Sequence, residues 1–157
     1  MRDTDGSAEA RKHGKAASSN LESSRRREIE EDVMQTIDAA GGLRGILDGL
    51  MKIDGITAAM VVGRDGFIIE SATHGEGMES DTVGAIAASS FGSFGQMGGE
   101  LRLGALDSIL LEYEMGPVAV SPAGPDAVLA VVADQRANLG RLRIEMRKIR
   151  TAVANQL

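Results

Sequence analysis

Residues 81–103 carry apolar or small side chains at three- and four-residue steps around most of a helix circumference, and this segment constrains the fold more than any other. One stripe reads Val83, Ala87, Ser90, Phe94, Met97 and Leu101, with Ile86 and Phe91 flanking it. The other reads Ala85, Ala88, Gly92, Gly95 and Gly99, with Ser89 and Gln96 beside it. Both fit the 3.6-residue period, so one helix with two buried faces is expected. The bulky stripe is expected to meet the core of the chain. The small stripe has almost no side-chain volume and suits close approach of another backbone. A glycine inside a helix costs about 1 kcal/mol relative to alanine, so several together call for a compensating contact, which a second copy of the chain would supply. This pattern points to a protein that works through surfaces rather than through catalysis.

At 157 residues the chain has room for one domain and a tail. It contains no cysteine, which excludes disulfides, thiolate zinc sites and cysteine nucleophiles. No apolar run approaches the roughly 20 residues that span a bilayer, and the first residues lack the apolar core of a secretory signal. A cytoplasmic location is expected. The overall charge of −6 is unevenly distributed: residues 1–27 carry +3, 28–135 carry −14 and 136–157 carry +5. An acidic body argues against nucleic acid as a partner, because phosphate binding needs positive charge.

Residues 1–27 have Leu21 as their only large aliphatic side chain after Met1, too little apolar surface to offset ordering entropy, and are expected to form a disordered charged tail. Ile29, Val33, Ile37 and Ala40 predict a leading helical extension over 28–40. After Gly41-Gly42 the domain proper, 41–157, opens on a helix carrying Leu43, Ile46, Leu47, Leu50 and Met51. Residues 56–62 and 67–71 read as strands joined by Gly63-Arg64-Asp65-Gly66, whose Asp-Gly pair suits a tight hairpin. An acidic, glycine-rich loop precedes the two-faced helix, with Ser80 or Asp81 at its N-cap. Residues 108–115 then alternate with period two. Residues 118–121, flanked by prolines, read as a short strand at an edge or a bulge. Residues 127–133 are continuously apolar, as a central strand buried on both faces requires. The last helix carries Leu139, Leu142, Met146, Ile149 and Val153 on one stripe.

The resulting order, α-β-β-α-β-β-β-α, is an α+β arrangement with helices against a single sheet. Together with the strand 56–62, the Arg64-Asp65-Gly66-Phe67 hairpin, the Gly- and Ala-rich middle helix, and 128–133 leading into Ala137-Asn138-Leu139-Gly140-Arg141-Leu142-Arg143, it resembles the roadblock/dynein-light-chain domain family over about residues 40–155. The resemblance implies a profilin-like, five-stranded antiparallel sheet flanked by helices. It also implies a homodimer in which middle helices pack together and third strands join into one sheet. Family members commonly bind small Ras-like GTPases as scaffolds or regulators, and others attach to dynein-type motors. The residues themselves agree on two points: the small stripe suits a close helix contact, and the long apolar strand 108–115 would be an aggregation hazard as a free edge.

Each candidate for chemistry has a plainer reading. The glycines at 92–99 lack the Gly-Lys-Ser/Thr that ends a phosphate-binding loop. His74, with Glu76, Glu79 and Asp81, lies in a loop rather than on the regular structure that fixes a zinc site. Glu112 and Glu114 share one strand face but flank no evident pocket. Arg64 and Arg102 carry no mark of an arginine finger. Arg136, Arg143, Arg147 and Arg150 on the last helix read as a solvated face that complements the helix dipole.

No catalytic, cofactor or metal residues are therefore expected. The dimer interface is expected at Ala85, Ala88, Gly92, Gly95 and Gly99 of the middle helix and at Ser108, Leu110 and Glu112 of the strand that follows. The reading is a non-enzymatic, cytoplasmic homodimer that scaffolds or tunes a small Ras-like GTPase, with no nucleic-acid or membrane partner. The alternative is an adaptor subunit of a motor, kinase or membrane-associated complex without a GTPase; a weaker third reading is a small-ligand sensor.

Overall fold

The computed structural model describes residues 18–29 and 41–157, which belong to two separate units, Met1–Thr36 and Ile37–Leu157. In the first unit, residues 18–29 form a helix, α1, exposed along its length. This corrects the expectation of disorder over 18–27. Leu21, Glu22 and Arg25-Arg26-Arg27 are good helix formers, and Ser23 Oγ donates to the Ser19 carbonyl one turn back at 2.9 Å. The shortage of apolar residues rules out a buried face, not a local helix. Residues 1–17, and the part of the expected leading helical extension (28–40) beyond residue 29, lie outside the described residues.

The second unit runs α2 (Gly42–Met51), β1 (Ile56–Gly63), β2 (Ile68–Thr73), α3 (Ser80–Glu100), β3 (Ile109–Tyr113), β4 (Gly116–Pro122), β5 (Ala127–Ala133) and α4 (Leu139–Ala154). Its strands form one antiparallel sheet in the order β2-β1-β5-β4-β3. The α-β-β-α-β-β-β-α order and the single sheet are those read from the sequence.

β5 occupies the centre, and it and its neighbour β1 are buried on both faces. Val128 and Ala130 join Ala58, Met60 and Val62 of β1 and Val120 of β4 beneath Ala87, Ala88 and Phe91 of α3. The alternate residues Leu129 and Val131, with Ala59 and Val61, are equally buried. They meet the other side, where α2 lies along β1 and β2 and α4 along β4 and β5. Leu47 and Leu50 of α2 and Val153 of α4 are wholly buried there, each contributing about 1.5–3 kcal/mol by leaving water.

β4 is not the edge or bulge expected from its prolines. It lies between β5 and β3, with Pro117 opposite Glu112 and Pro122 opposite Val128. Both prolines stand near strand ends, where a missing N–H removes only terminal ladder bonds. The N-cap of α3 is Glu79, without a side-chain cap bond, and Asp81 sits in the first turn, where its charge meets the positive end of the helix dipole. At the other end of α3, Leu103 N–H donates to the Gly98 carbonyl at 2.8 Å and Arg102 N–H to the Gly99 carbonyl at 3.1 Å. This double closure places Arg102 in the left-handed region, with φ 56°, a position that glycine usually fills. Arg102→Gly is therefore expected to raise stability by about 1 kcal/mol. Chemical denaturation reads this as a higher midpoint at unchanged slope; a lower midpoint would show that the arginine side chain compensates its backbone.

Candidate interaction surface

The sheet selects a different face of α3 from the one the bulky stripe suggests. Gly84, Ala87, Ala88 and Phe91 are the buried residues, whereas Ile86, Phe94, Met97 and Leu101 are 60%, 42%, 52% and 59% exposed. Ala88 therefore belongs to the chain's own core and is withdrawn from the expected interface. The reason is shape. A Cβ on Gly84 would stand 3.1 Å from Val62 and 3.2 Å from Ile68, so small residues let the helix settle closely on β1 and β2, and the bulky ones are turned away.

Beyond Phe91 no residue of α3 is buried. Gly92 and Gly95 are half-buried, while Ala85 and Gly99 are exposed. Among the described residues, a Cβ at Gly92, Gly95 or Gly99 would meet nothing within 4 Å. The last two and a half turns of the small stripe are thus an open face of the second unit, among the described residues.

β3 ends the sheet, and after Ile109 every one of its residues is exposed. Among the described residues no strand pairs with its outer side, so its backbone N–H and C=O groups there form the kind of edge that soluble proteins normally cover or blunt. Leu111 and Tyr113 alternate with the buried Ile109 and so share α3's side of the sheet, whereas Ser108, Leu110 and Glu112 point to the α4 side. The expected interface residues accordingly lie on two faces joined by one edge. Leu111 and Tyr113, with Phe94, Met97 and Leu101, are the apolar surface that the sequence reading left out of the interface. The period-two pattern of β3 was the available signal for the first two.

On the α4 side, a narrow cleft runs between β3 and α4, with Leu110, Ser121, Arg143 and Met146 among its walls. At its mouth the Asp107 carboxylate accepts from Arg150 at 2.8 Å and from Arg147 at 3.5 Å. The hydrogen bond from Arg150, reinforced by the positive charges, holds the Asp107 carboxyl below its ordinary value. Ser121 is 3% exposed, and its hydroxyl has no hydrogen-bond partner among the described residues. Arg136 is not part of this cleft: it pairs with Asp134 at 2.9 Å and Asp54 at 3.6 Å. The four arginines read as one solvated face are therefore divided: Arg136 pairs with Asp134 and Asp54, Arg147 and Arg150 share Asp107, and Arg143 has no ion-pair partner among the described residues.

The remaining candidates are local features. His74 Nε2 lies 3.0 Å from the Met51 carbonyl, and among the described residues no three His, Asp or Glu side chains are grouped to hold a metal. Arg64 lies over the Phe91 ring, 5.8 Å from its centroid, within the range of a cation–π contact. Glu112 and Glu114 are exposed. No helix among the described residues is long and apolar enough to cross a membrane.

Comparison with known proteins places this geometry in context. Residues 44–133 match the Roadblock/LC7 domain. An uncharacterized protein of Methanocaldococcus jannaschii is 36% identical over 103 residues, covering 66% of this chain and 89% of that protein. Among solved structures, an MglB with a tetrameric arrangement superposes with a TM-score of 0.66 at 21% identity, covering 70% of this chain and 83% of its own. The Roadblock/LC7 domain from Streptomyces avermitilis gives 0.65 at 24% identity, covering 73% and 97%. At these identities the structural likenesses establish a common fold.

Proposed function

The chain belongs to the Roadblock/LC7 domain family, and from that premise we propose that it is a non-enzymatic, cytoplasmic homodimer that binds a small Ras-like GTPase and tunes its GTP hydrolysis. The observation that carries this reading is the exposed edge of β3 at the end of the sheet, beside the bare glycine turns of α3. A second copy pairing along β3 removes the edge. It also brings the two glycine-bearing turns together, burying Leu111, Tyr113 and their neighbours on α3. An MglB of the same fold has a tetrameric arrangement, which supports self-association as a use of this architecture.

The GTPase is the partner class implied by the family resemblance. The chain supplies binding surface, and hydrolysis is tuned by repositioning of the GTPase's own catalytic residues. Arg64, engaged with Phe91, and Arg102, committed to closing α3, are both structural in this reading.

The test is affinity capture of the full chain from its host, followed by GTP turnover of any co-purified GTPase with and without the chain. Stable binding with turnover changed at least about tenfold, roughly 1.4 kcal/mol of barrier, is the expected result. Capture of motor or kinase components without a GTPase would replace this reading with that of an adaptor.

A further inference from the structure

The cleft between β3 and α4 carries more positive charge than its own chain neutralises. Arg147 and Arg150 share the single carboxylate of Asp107, and Arg143 has no ion-pair partner among the described residues. On the same face of the sheet, Glu112 points outward from the free edge, also without an ion-pair partner among the described residues, and Glu114 follows it in the turn. Among the described residues the chain therefore presents an unpaired cation on α4, in the cleft, and an unpaired carboxylate on the β3 edge.

Resting on the homodimer reading, we propose that the cleft is completed by a second copy: Glu112 of each chain pairs with Arg143 of the other across the joined β3 strands. A two-fold axis perpendicular to the sheet keeps each side chain on its own face, so residues that oppose each other must share that face. Centring the antiparallel pair on Leu111, the middle of β3 (Ile109–Tyr113), sets Glu112 of one copy opposite Leu110 of the other. Leu110 is a wall of the cleft beside Arg143. Directly opposed residues have Cβ atoms about 5 Å apart, and an arginine side chain spans the remaining distance. The same register brings Glu114 opposite Ser108, towards Arg147, and adds to the attraction. The symmetry doubles every pair, and a register slipped by two residues carries Glu112 away from Leu110. The cleft thus fixes which β3 register the dimer adopts.

The experiment is sedimentation equilibrium of the full chain as wild type, Arg143→Glu, Glu112→Arg and the double variant carrying both. Arg143 and Glu112 are exposed, so folding is expected to survive each change, and circular dichroism verifies it. Each single reversal is expected to weaken the dimer about tenfold, because two symmetric pairs turn repulsive together. The double variant is expected to return to within roughly threefold of wild type. Single reversals that leave the dimer constant unchanged would overturn the pairing while the homodimer stands. So would a double variant no tighter than the singles. A wild-type chain that stays monomeric at every concentration would instead remove the homodimer reading itself, and the pairing with it.

Discussion

Gly95→Leu is expected to abolish the dimer while leaving the single chain at least as stable as before. Among the described residues the substitution is sterically free: Gly95 is half-buried on α3, and a Cβ there meets nothing within 4 Å. Replacing a mid-helix glycine with leucine also favours the helix by roughly 0.8 kcal/mol. Thermal unfolding at concentrations where the chain is monomeric should therefore show an unchanged or slightly higher midpoint. Two α3 helices meeting through Gly92, Gly95 and Gly99 present the opposite situation. Helix axes approach to about 8 Å only when the contact side chains are small, and a leucine from each copy would stand in the gap. Overpacking of about 1–3 kcal/mol per site, incurred twice by symmetry, weakens association about thirtyfold or more. Sedimentation velocity across a concentration series reads that change directly. A variant that remains dimeric at wild-type affinity would place the contact on another surface.

The case also shows where sequence patterning ends. β5 was legible because seven consecutive apolar residues, Ala127–Ala133, have one stable place in a sheet with helices on both sides. β3 was legible as an exposed strand because its alternation is strong and its length exceeds what a turn would need. The orientation of α3 was not legible. Neither of its stripes is polar, so hydrophobicity assigns both to the inside, and the choice passes to shape. The sheet accepted Gly84, Ala87 and Ala88 because they permit close approach, and Phe91 filled the remaining space. No period-counting argument contains that information, since it depends on how near Val62 and Ile68 come. The basic cleft was hidden for a different reason. Asp107 and Arg150 are 43 residues apart, and the pair exists only once β3 and α4 are laid side by side. α1 was missed because a tail too polar to bury a face was equated with a tail lacking local helix.

Gly116→Ala is expected to cost the chain about 3–5 kcal/mol, a large fraction of the 5–15 kcal/mol that separates a domain from its unfolded state. Two costs coincide at this position. The residue opens β4 directly after the β3–β4 turn with φ 143°, outside the regions an alanine adopts without strain of about 1–3 kcal/mol. A Cβ there would also collide with the carbonyl oxygen of Ala133 and come within 2.7 Å of Asp134 Cα. Both belong to backbone at the end of the central strand, which is held by ladder bonds and by Asp134 N–H donating to the Gly55 carbonyl at 2.8 Å. Neither can yield as a flexible side chain would, so the hairpin must lift away from β5. A fall in melting temperature of roughly 10 °C or more is expected. Because this hairpin carries β3, any folded fraction that survives should also dimerise more weakly than wild type. That links the glycine to function through the placement of the edge rather than through contact. A melting temperature within about 2 °C of wild type would mean that β3 and β4 shift at little cost, and the rigid edge on which the dimer argument depends would be lost.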